Sequence, residues 1–231
     1  MQRFFDVLFS GLALLVLSPL LVPIAILLRL TGEGEVFFLQ ERVGKGGQTF
    51  RIYKFATMLK NSPNVGTGTV TLRNDPRILP MGGFVRKTKI NELPQLLNIL
   101  NGDMSVIGPR PQTRRCFDAF TPAAQNAIIQ VRPGLSGIGS IIFRDEENMM
   151  HGHQDPGYFY DHVISPYKGA LEEWYVANQG PRTYFMLIVL TVWVVLMPQS
   201  KAVARMLPTL PKPGPELARV MGCTPVTQRQ A

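Results

Sequence analysis

Residues 4–30 read FFDVLFSGLALLVLSPLLVPIAILLRL, an almost uninterrupted apolar run at the start of a 231-residue chain. A helix needs about 20 apolar residues to cross the ~30 Å hydrocarbon core of a bilayer, so this run is long enough to span one. The run outlasts the apolar part of a secretion signal, and no small-residue cleavage site follows it. The sequence therefore predicts a membrane helix over residues 1–30 that is not removed.

Two topologies of this helix fit the sequence: a plain span, and a re-entrant helix that enters the bilayer, bends and leaves on the same side. Ser18 and Pro19 lie near the middle of the run. Proline kinks a helix because it lacks the N–H group and its ring clashes with the preceding turn. Arg3 and Arg29 flank the run, and positive residues mark the cytoplasmic side, so neither end is clearly outside. The residues alone leave both topologies open.

The bulk composition limits the classes of partner. The net charge is +8 and the pI about 9.8, a balance that suits nucleic acid, an anionic membrane surface or phosphorylated substrates. No nucleic-acid reader motif with interleaved aromatic residues accompanies the charge, so we do not expect nucleic acid as the partner. The two cysteines, Cys116 and Cys223, are far apart and form neither a disulfide framework nor a zinc pattern. A reducing compartment facing the cytosol fits this usage.

The residues after the membrane helix predict a mostly helical α+β domain over residues 31–197. Residues 36–39 and 50–55 are β-prone and are separated by Gly44, Gly46 and Gly47, so a β-hairpin is expected there. Further along the chain, residues 157–178 are amphipathic and predict a helix.

A helix is predicted from Glu92 to Leu100, because leucines recur there at helical spacing. Asn91 suits the N-cap of this helix, Pro94 is tolerated in its first turn, and Gly102 suits its end.

Two further segments follow. Residues 184–197 are apolar but short for a membrane span, which favours an interfacial amphipathic helix or a buried core helix. Residues 198–231 are basic and rich in proline, so we expect a largely disordered tail.

The candidate chemistry lies between residues 75 and 111, where cations and carboxylates are dense. Glu92 lies at the predicted helix start, where free N–H groups favour an anion such as phosphate. A carboxylate beside phosphates usually shares Mg²⁺ with them, and forked arginine donors such as that of Arg110 suit a diphosphate. The alternative is a solvated basic loop next to an ordinary capped helix. The residues by themselves do not decide between the two.

Several spaced motifs resemble one family. The chain reads RKTKINELPQLLN at 86–98, GDMS at 102–105 and GPRP at 108–111, with YKF at 53–55, DPRI at 75–78 and RPGLSG at 132–137. Together they closely resemble the signature of the bacterial sugar transferases, the monotopic polyprenyl-phosphate phosphoglycosyl transferases. The resemblance covers roughly residues 1–196, and ordered motifs of this kind are far more specific than one short pattern.

The resemblance implies an enzyme of the bacterial inner membrane, on its cytoplasmic face, that uses Mg²⁺. It would transfer a sugar phosphate from a UDP-sugar to undecaprenyl phosphate and release UMP, which starts a surface polysaccharide or glycoconjugate. It also implies a re-entrant helix broken at Ser18-Pro19, which makes that topology the favoured one. Whether the chain forms a homo-oligomer is left open. The implied catalytic residues are Glu92, which would also hold the metal, and Asn91; the implied substrate-binding residues are Lys54, Arg77, Arg86, Arg110 and Pro111.

One departure from the family pattern bears on mechanism. The family's usual pair at the helix start is Asp-Glu, with the aspartate as nucleophile, whereas this chain has Asn91-Glu92. An amide has no charged oxygen with which to attack phosphorus. Three explanations follow: the acceptor phosphate attacks directly, another carboxylate acts, or the chain is a catalytically silent scaffold that binds nucleotide-sugar or partner enzymes. Ala56 also stands where the family often has arginine. An active enzyme is favoured, because Glu92, Lys54, Arg86 and Arg110 are all present.

Overall fold

A computed structural model describes residues 1–31, 33–62, 75–144, 146–150, 155–197 and 202–221. The chain forms two compact units. The first unit is built mainly from residues 3–42 and 49–104, and the second from residues 43–48 and from residue 105 onward.

The helices are α1 Gln2–Thr31, α2 Gly82–Lys87, α3 Gln95–Asn101, α4 Arg114–Asp118, α5 Pro122–Ile128, α6 Ile138–Ile142, α7 Glu146–Met150, α8 Pro156–Phe159, α9 Ser165–Ala177, α10 Pro181–Leu196, α11 Ala202–Met206 and α12 Pro215–Val220. The strands are β1 Phe37–Val43, β2 Thr49–Phe55, β3 Ser105–Ile107 and β4 Gly134–Ser136. This confirms the predicted α+β, mostly helical class.

The N-terminal helix α1 is confirmed as one long apolar element, and by length and composition it could cross a membrane. It continues through Pro19, which cannot donate to the carbonyl of Leu15 one turn earlier. The Ser18 hydroxyl donates to that same carbonyl at 2.8 Å. The Ser18 hydroxyl therefore replaces the hydrogen bond that the Leu15 carbonyl loses at Pro19. A carbonyl without a hydrogen-bond partner would be costly in lipid.

Other segments of the first unit contact α1 near both of its ends, while the middle of the helix is mostly exposed. Near the C-terminal end lies an apolar cluster formed by Ile24, Leu28, Phe55 and Val85. Near the N-terminal end, the Arg3 guanidinium donates to the backbone carbonyls of Ile99 and Leu100 in α3. Asp6 and Ser10, one turn apart, are also buried. Between them and the apolar cluster, Leu15 and Val16 are 72 % and 66 % exposed.

The predicted hairpin is confirmed. Strands β1 and β2 pair with each other, and a connection as short as residues 44–48 fits an antiparallel pair. Gly46 and Gly47 in that connection have φ of 72° and 75°, values that glycine adopts far more readily than other residues.

The helix predicted from Glu92 begins three residues later. Residues Ile90–Glu92 form a separate 3-10 turn, and α3 starts at Gln95. Pro94 has no N–H to donate to residue 90, and the backbone here bonds three residues back, from Leu96 to Leu93 and from Leu97 to Pro94. The N-cap role predicted for Asn91 is therefore wrong, because Asn91 lies inside the 3-10 turn and Pro94 precedes the first residue of α3. The end at Gly102, with φ of 95°, is confirmed.

The second unit contains a parallel β3–β4 pair that the sequence did not indicate, with Ser105 opposite Gly134 and Ile107 opposite Ser136. The helix predicted over residues 157–178 is present as α8, one π turn and α9. Helix α10 buries one side and exposes another apolar side, which includes Val189, Val192, Trp193 and Leu196.

Disorder of the tail does not hold for residues 202–221. They form α11 and α12, and Leu207 and Leu217 are buried. The Tyr167 hydroxyl donates to the carbonyl of Pro211 at 3.1 Å. The apolar residues of this segment are thus buried by packing within the second unit. Residues 198–201 and 222–231 lie outside the described residues.

Candidate functional site

The Asn91-Glu92 pair lies in a backbone turn with unusual geometry. Lys89, directly before the turn, has φ of 60° and is the only described residue other than glycine with a positive φ. Left-handed backbone is disfavoured for a side-chain-bearing residue. The 3-10 turn then carries Asn91 and Glu92 into the start of the segment that leads to α3.

Glu92 forms an ion pair with Lys54 on β2. The Lys54 ammonium lies 3.3 Å from a carboxylate oxygen of Glu92, and each side chain is 18 % exposed. The pair is thus partly sheltered and still open to a ligand. A carboxylate that can share a cation with phosphate, beside an ammonium that can contact phosphate directly, suits a phosphorylated substrate.

Asn91 is 8 % exposed, and its side-chain oxygen is buried without a hydrogen-bond partner among the described residues. A buried acceptor without a donor costs stability, so natural proteins seldom keep one without a role. The oxygen can accept a hydrogen bond or contribute a neutral ligand to a cation. It cannot act as an anionic nucleophile.

Asn98 holds the Lys54 strand against the helix that follows Glu92. Its side chain is fully buried, accepts from the backbone N–H of Tyr53 at 2.9 Å and donates to the carbonyl of Arg51 at 2.8 Å. It also donates to Asp103 at 3.3 Å. Sequence reasoning missed this residue; its signal was a single asparagine among the leucines of a helical repeat.

Replacing Asn98 by alanine is expected to lower the free energy of unfolding by about 2–4 kcal/mol, because two partly buried backbone groups of β2 lose their partner and the fully buried side chain itself is removed. Thermal or denaturant unfolding of the detergent-solubilised protein measures this. The matched control is Asn101→Ala, three residues on in the same helix and exposed, which we expect to stay within about 0.5 kcal/mol of the parent. Equal stability of the two variants would contradict the bridging role of Asn98.

Arg77 is engaged within its own loop. Its guanidinium donates to both carboxylate oxygens of Asp75, at 2.8 and 2.5 Å, and to the carbonyl of Ser62 at 2.6 Å. Both ionic side chains are almost fully buried, and hydrogen bonding to Asp75 raises the pKa of Arg77. These contacts give Arg77 a structural role. Substrate binding by Arg77 stays a prediction.

Arg86 lies at the C-terminal end of α2 and is half-buried, with a guanidinium nitrogen 3.6 Å from the sulfur of Met58. Helix α2 lies very close to the chain after β2, since a Cβ added at Gly82 would meet the carbonyl oxygen of Thr57 at 2.1 Å. The close packing at Gly82 therefore fixes the position of α2 against the chain after β2, and with it the position of Arg86 at the end of α2. The first unit holds Lys54, Arg86, Asn91 and Glu92 together.

Arg110 and Pro111 belong to the second unit, where Arg110 is half-buried and Pro111 buried. Their segment follows β3 and crosses the β4 segment at very short range. A Cβ added at Gly108 would lie 2.5 Å from the carbonyl oxygen of Arg132, and one added at Gly137 would lie 2.1 Å from that of Gly108. The glycines of the GPRP and RPGLSG motifs are thus explained by backbone packing.

The residues around Glu92 fit a magnesium ion only if the substrate completes its coordination. No group of three or more His, Cys, Asp or Glu side chains able to hold a metal occurs within the described ranges. Glu92 offers one carboxylate, and the unpartnered Asn91 oxygen offers one neutral ligand. Mg²⁺ commonly takes one or two protein carboxylates, with phosphate oxygens and waters as its other ligands. The donor set is compatible with that arrangement.

The family model described as bacterial sugar transferase matches residues 1–198. A UDP-N-acetylgalactosamine-undecaprenyl-phosphate N-acetylgalactosaminephosphotransferase of Aeromonas hydrophila is 42 % identical over 143 residues, 61 % of this chain and 34 % of that protein. The exopolysaccharide production protein ExoY of Sinorhizobium fredii is 37 % identical over 159 residues, 63 % of this chain and 70 % of that protein.

A third relative is the UDP-glucose:undecaprenyl-phosphate glucose-1-phosphate transferase of Escherichia coli, 35 % identical over 143 residues. The aligned part covers 61 % of this chain and 31 % of that protein. The match thus spans about a third of the length of two of these relatives and more than two thirds of the other. Because the family model covers most of the chain, the chain belongs to the bacterial sugar transferase family.

Proposed function

We propose that this chain transfers a sugar 1-phosphate from a UDP-sugar to undecaprenyl phosphate, with release of UMP, at the cytoplasmic face of the bacterial inner membrane. The product would start a surface polysaccharide or glycoconjugate. The proposal rests on membership of the family and on the names of the relatives, two of which are undecaprenyl-phosphate sugar-phosphate transferases and one an exopolysaccharide production protein.

The observation that carries the proposal is that the segments on which Lys54 and Arg86 lie pack on the C-terminal half of the long apolar helix. Phe55 and Val85 pack on the C-terminal half of α1. Lys54 directly precedes Phe55, and Arg86 directly follows Val85. Cations carried by segments that pack on a lipid-inserted helix suit an acceptor whose prenyl chain lies in the bilayer and whose phosphate lies at its surface.

The re-entrant topology is part of this proposal, and the contacts at the two ends of α1 support it. A straight helix would place residues 3 and 28 about 38 Å apart. Arg3 contacts α3 at Ile99, next to Asn98, which in turn contacts Tyr53. Leu28 belongs to the cluster of Phe55, two residues along the same strand from Tyr53 and hence only about 7 Å away. A helix bent between its ends satisfies both contacts more readily than a straight one.

Labelling of single cysteines in intact cells tests the topology. In a background with Cys116→Ser and Cys223→Ser, we expect that Gln2→Cys and Glu33→Cys both resist a membrane-impermeant thiol reagent and both react after permeabilisation. Adding Pro19→Leu should favour a straight span, because the kink depends on the proline ring. Gln2→Cys should then react from outside. Reaction of the Gln2→Cys variant that retains Pro19, in intact cells, would rule out the re-entrant form.

Each residue of the first-unit site has a role in the proposed reaction. Lys54 binds phosphate oxygens and orients the Glu92 carboxylate. Arg86 contributes positive charge, and the amide oxygen of Asn91 accepts a hydrogen bond from the substrate or contributes to cation binding. Glu92, together with phosphate oxygens, would hold Mg²⁺, which when bound neutralises negative charge on the diphosphate. Arg110 of the second unit is proposed to contribute a forked donor to the same class of ligand.

Incubation of the purified protein with a panel of UDP-sugars, Mg²⁺ and undecaprenyl phosphate tests the function, with UMP release as the readout. We expect UMP to be formed with at least one sugar and only when the acceptor is present. The second candidate, a catalytically silent scaffold, is favoured by Asn91 alone. Binding of a UDP-sugar without UMP release from any member of the panel would support the scaffold instead.

A further inference from the structure

The C-terminal segment of the second unit, residues 202–221, runs along helix α9 in the direction opposite to it. The indole N–H of Trp174 donates to the hydroxyl of Thr209 at 3.2 Å. Two turns earlier on the helix, the hydroxyl of Tyr167 donates to the carbonyl of Pro211 at 3.1 Å. A later residue of the segment thus meets an earlier residue of α9.

The same order continues beyond the start of α9. Helix α12, which follows Pro211, contacts the π turn Tyr160–Ile164 that leads into α9. The segment is anchored by apolar side chains, since Leu207 and Leu217 are 4 % and 1 % exposed. Because burial of apolar surface is the main favourable contribution to such packing, the segment stabilises α9 along its length.

An adjacent face of α9 supports the backbone that carries Arg110. Tyr167 and Trp174 are two turns apart and share one face of the helix, whereas Tyr175 lies about 100° further around it. The Tyr175 hydroxyl donates to the carbonyl of Ile107 at 3.1 Å, in a buried contact. Ile107 ends β3 and directly precedes the GPRP motif at 108–111.

Other hydrogen bonds hold the same backbone. The N–H of Gly108 donates to the carbonyl of Ser136 at 2.9 Å. The Ile107 carbonyl also accepts from the side chain of Gln2 at 3.3 Å. Helix α9 is therefore one support of the GPRP segment among several, and Tyr175 is the residue through which it acts.

We propose that residues 202–221 are a strap that holds α9 where Tyr175 supports the GPRP segment. Tyr175 is then a positioning residue for Arg110, and the strap in turn positions Tyr175. The family model ends at residue 198, so the strap lies outside the part of the chain that the family motifs describe. The effect on catalysis rests on the proposed function, in which Arg110 contacts the sugar nucleotide; the support of the backbone does not.

Four variants separate the strap from the residue through which it acts. Deletion of residues 202–231 removes the strap. Leu217→Ala weakens its anchor in an intact chain, which keeps the test valid if the deletion variant does not fold. The matched control is Val220→Ala, on the same helix and 37 % exposed. Tyr175→Phe leaves the strap in place and removes only the hydroxyl that reaches Ile107.

Tryptophan fluorescence reports whether the strap is docked. The chain has two tryptophans, so Trp193→Phe leaves Trp174, the partner of Thr209, as the only one. In this background, deletion of the strap should shift the emission to longer wavelength, because the indole loses its cover and its hydrogen-bond partner. Leu217→Ala should give a smaller shift and Val220→Ala none. Unchanged emission on deletion would overturn the proposal.

Hydrogen exchange measures the support of the GPRP segment without any need for activity. On deletion of the strap, peptides of α9 and the peptide of residues 105–111 should both exchange about tenfold faster, while peptides of β2 in the first unit should stay unchanged. Tyr175→Phe should raise exchange at residues 105–111 alone, by about threefold, since Gln2 keeps its bond. Faster exchange of α9 with no change at residues 105–111 would overturn the proposal.

Steady-state kinetics connect the strap to the proposed function. Deletion of the strap should raise the KM for the UDP-sugar about fivefold, and Tyr175→Phe about twofold to threefold, with kcat changed less than about twofold, as expected for loss of substrate positioning. Val220→Ala should match the parent. An unchanged KM beside faster exchange at residues 105–111 would refute the link to Arg110. Absence of UMP formation by the parent, with the exchange differences intact, would refute the proposed function and leave the strap standing.

Discussion

Replacing Glu92 by glutamine is expected to lower kcat/KM for sugar-phosphate transfer about 100-fold to 1,000-fold, the range that loss of one strong electrostatic contact to a transition state costs. Glutamine keeps the shape of the side chain and removes the charge. The Lys54 ammonium, 3.3 Å from the Glu92 carboxylate, then loses this anion. The proposed cation site loses its one carboxylate ligand, so charge on the diphosphate is less well neutralised.

A titration with Mg²⁺ separates a metal-binding role from a merely structural one. Glu92→Gln should need a higher Mg²⁺ concentration for half-maximal rate, while its thermal midpoint should stay close to that of the parent. The matched control is Glu41→Gln on β1, whose side chain is 71 % exposed and whose loss should leave both quantities unchanged. Activity of Glu92→Gln near the parent level at the same Mg²⁺ would show that the carboxylate is not needed.

The second large effect is expected at Asn91, and it concerns whether the enzyme becomes covalently labelled by the sugar phosphate. In the parent protein, we expect an oxygen of the acceptor phosphate to attack the phosphorus attached to the sugar. The bond from that phosphorus to the bridging oxygen breaks, and UMP leaves with the electron pair. Incubation with UDP-sugar labelled at that phosphorus, without acceptor, should therefore leave the parent unlabelled, because its Asn91 amide supplies no anionic oxygen.

Asn91→Asp should change this outcome. A carboxylate at position 91 can attack the same phosphorus, displace UMP and retain the sugar phosphate as an acyl phosphate, which labels the protein. The added charge lies beside Glu92 and at a site that is only 8 % exposed, which works against its ionisation. The Lys54 ammonium, which pairs with the neighbouring Glu92, and a bound cation work in its favour. The labelled fraction should rise from near zero to a substantial part of the protein.

Two variants control this experiment. Asn91→Ala should cost about tenfold in rate, the loss of a neutral contact, and should stay unlabelled. Asn101→Asp places a carboxylate at an exposed position at the end of α3 and should stay unlabelled too. Label on the parent protein would contradict direct displacement and point to another carboxylate, with Glu92 and Asp103 the first to replace.

The local elements of the fold followed from the sequence because short-range rules decide them. The length of the apolar run predicted α1, β-prone residues around glycines predicted the hairpin, and Gly102 predicted the end of α3. The start of α3 is three residues later than the prediction, which treated Pro94 as part of the first turn of one continuous helix. In the structure its missing N–H separates a 3-10 turn from the helix.

The candidate site followed from the sequence in part. Ordered motifs identified Lys54, Arg86, Asn91 and Glu92, and the structure collects these residues in one unit. It adds the ion pair of Glu92 with Lys54 and the buried, unpartnered oxygen of Asn91. It also gives Arg77 a buried partner in Asp75. A charge cluster in sequence does not distinguish a cation that faces a ligand from one bound within its own loop.

Residue type and spacing along the chain were enough to identify the family, the long apolar helix and the polar residues available for chemistry. Which polar residues pair depends, by contrast, on contacts between segments that are far apart in the chain. Asn98 binds a strand 45 residues away, and the Tyr175 hydroxyl donates to the carbonyl of Ile107, 68 residues earlier in the chain. The parallel β3–β4 pair and the folding of residues 202–221 onto the second unit are of the same kind. Long-range contacts depend on which surfaces remain uncovered once the local elements have formed, and no local pattern records that.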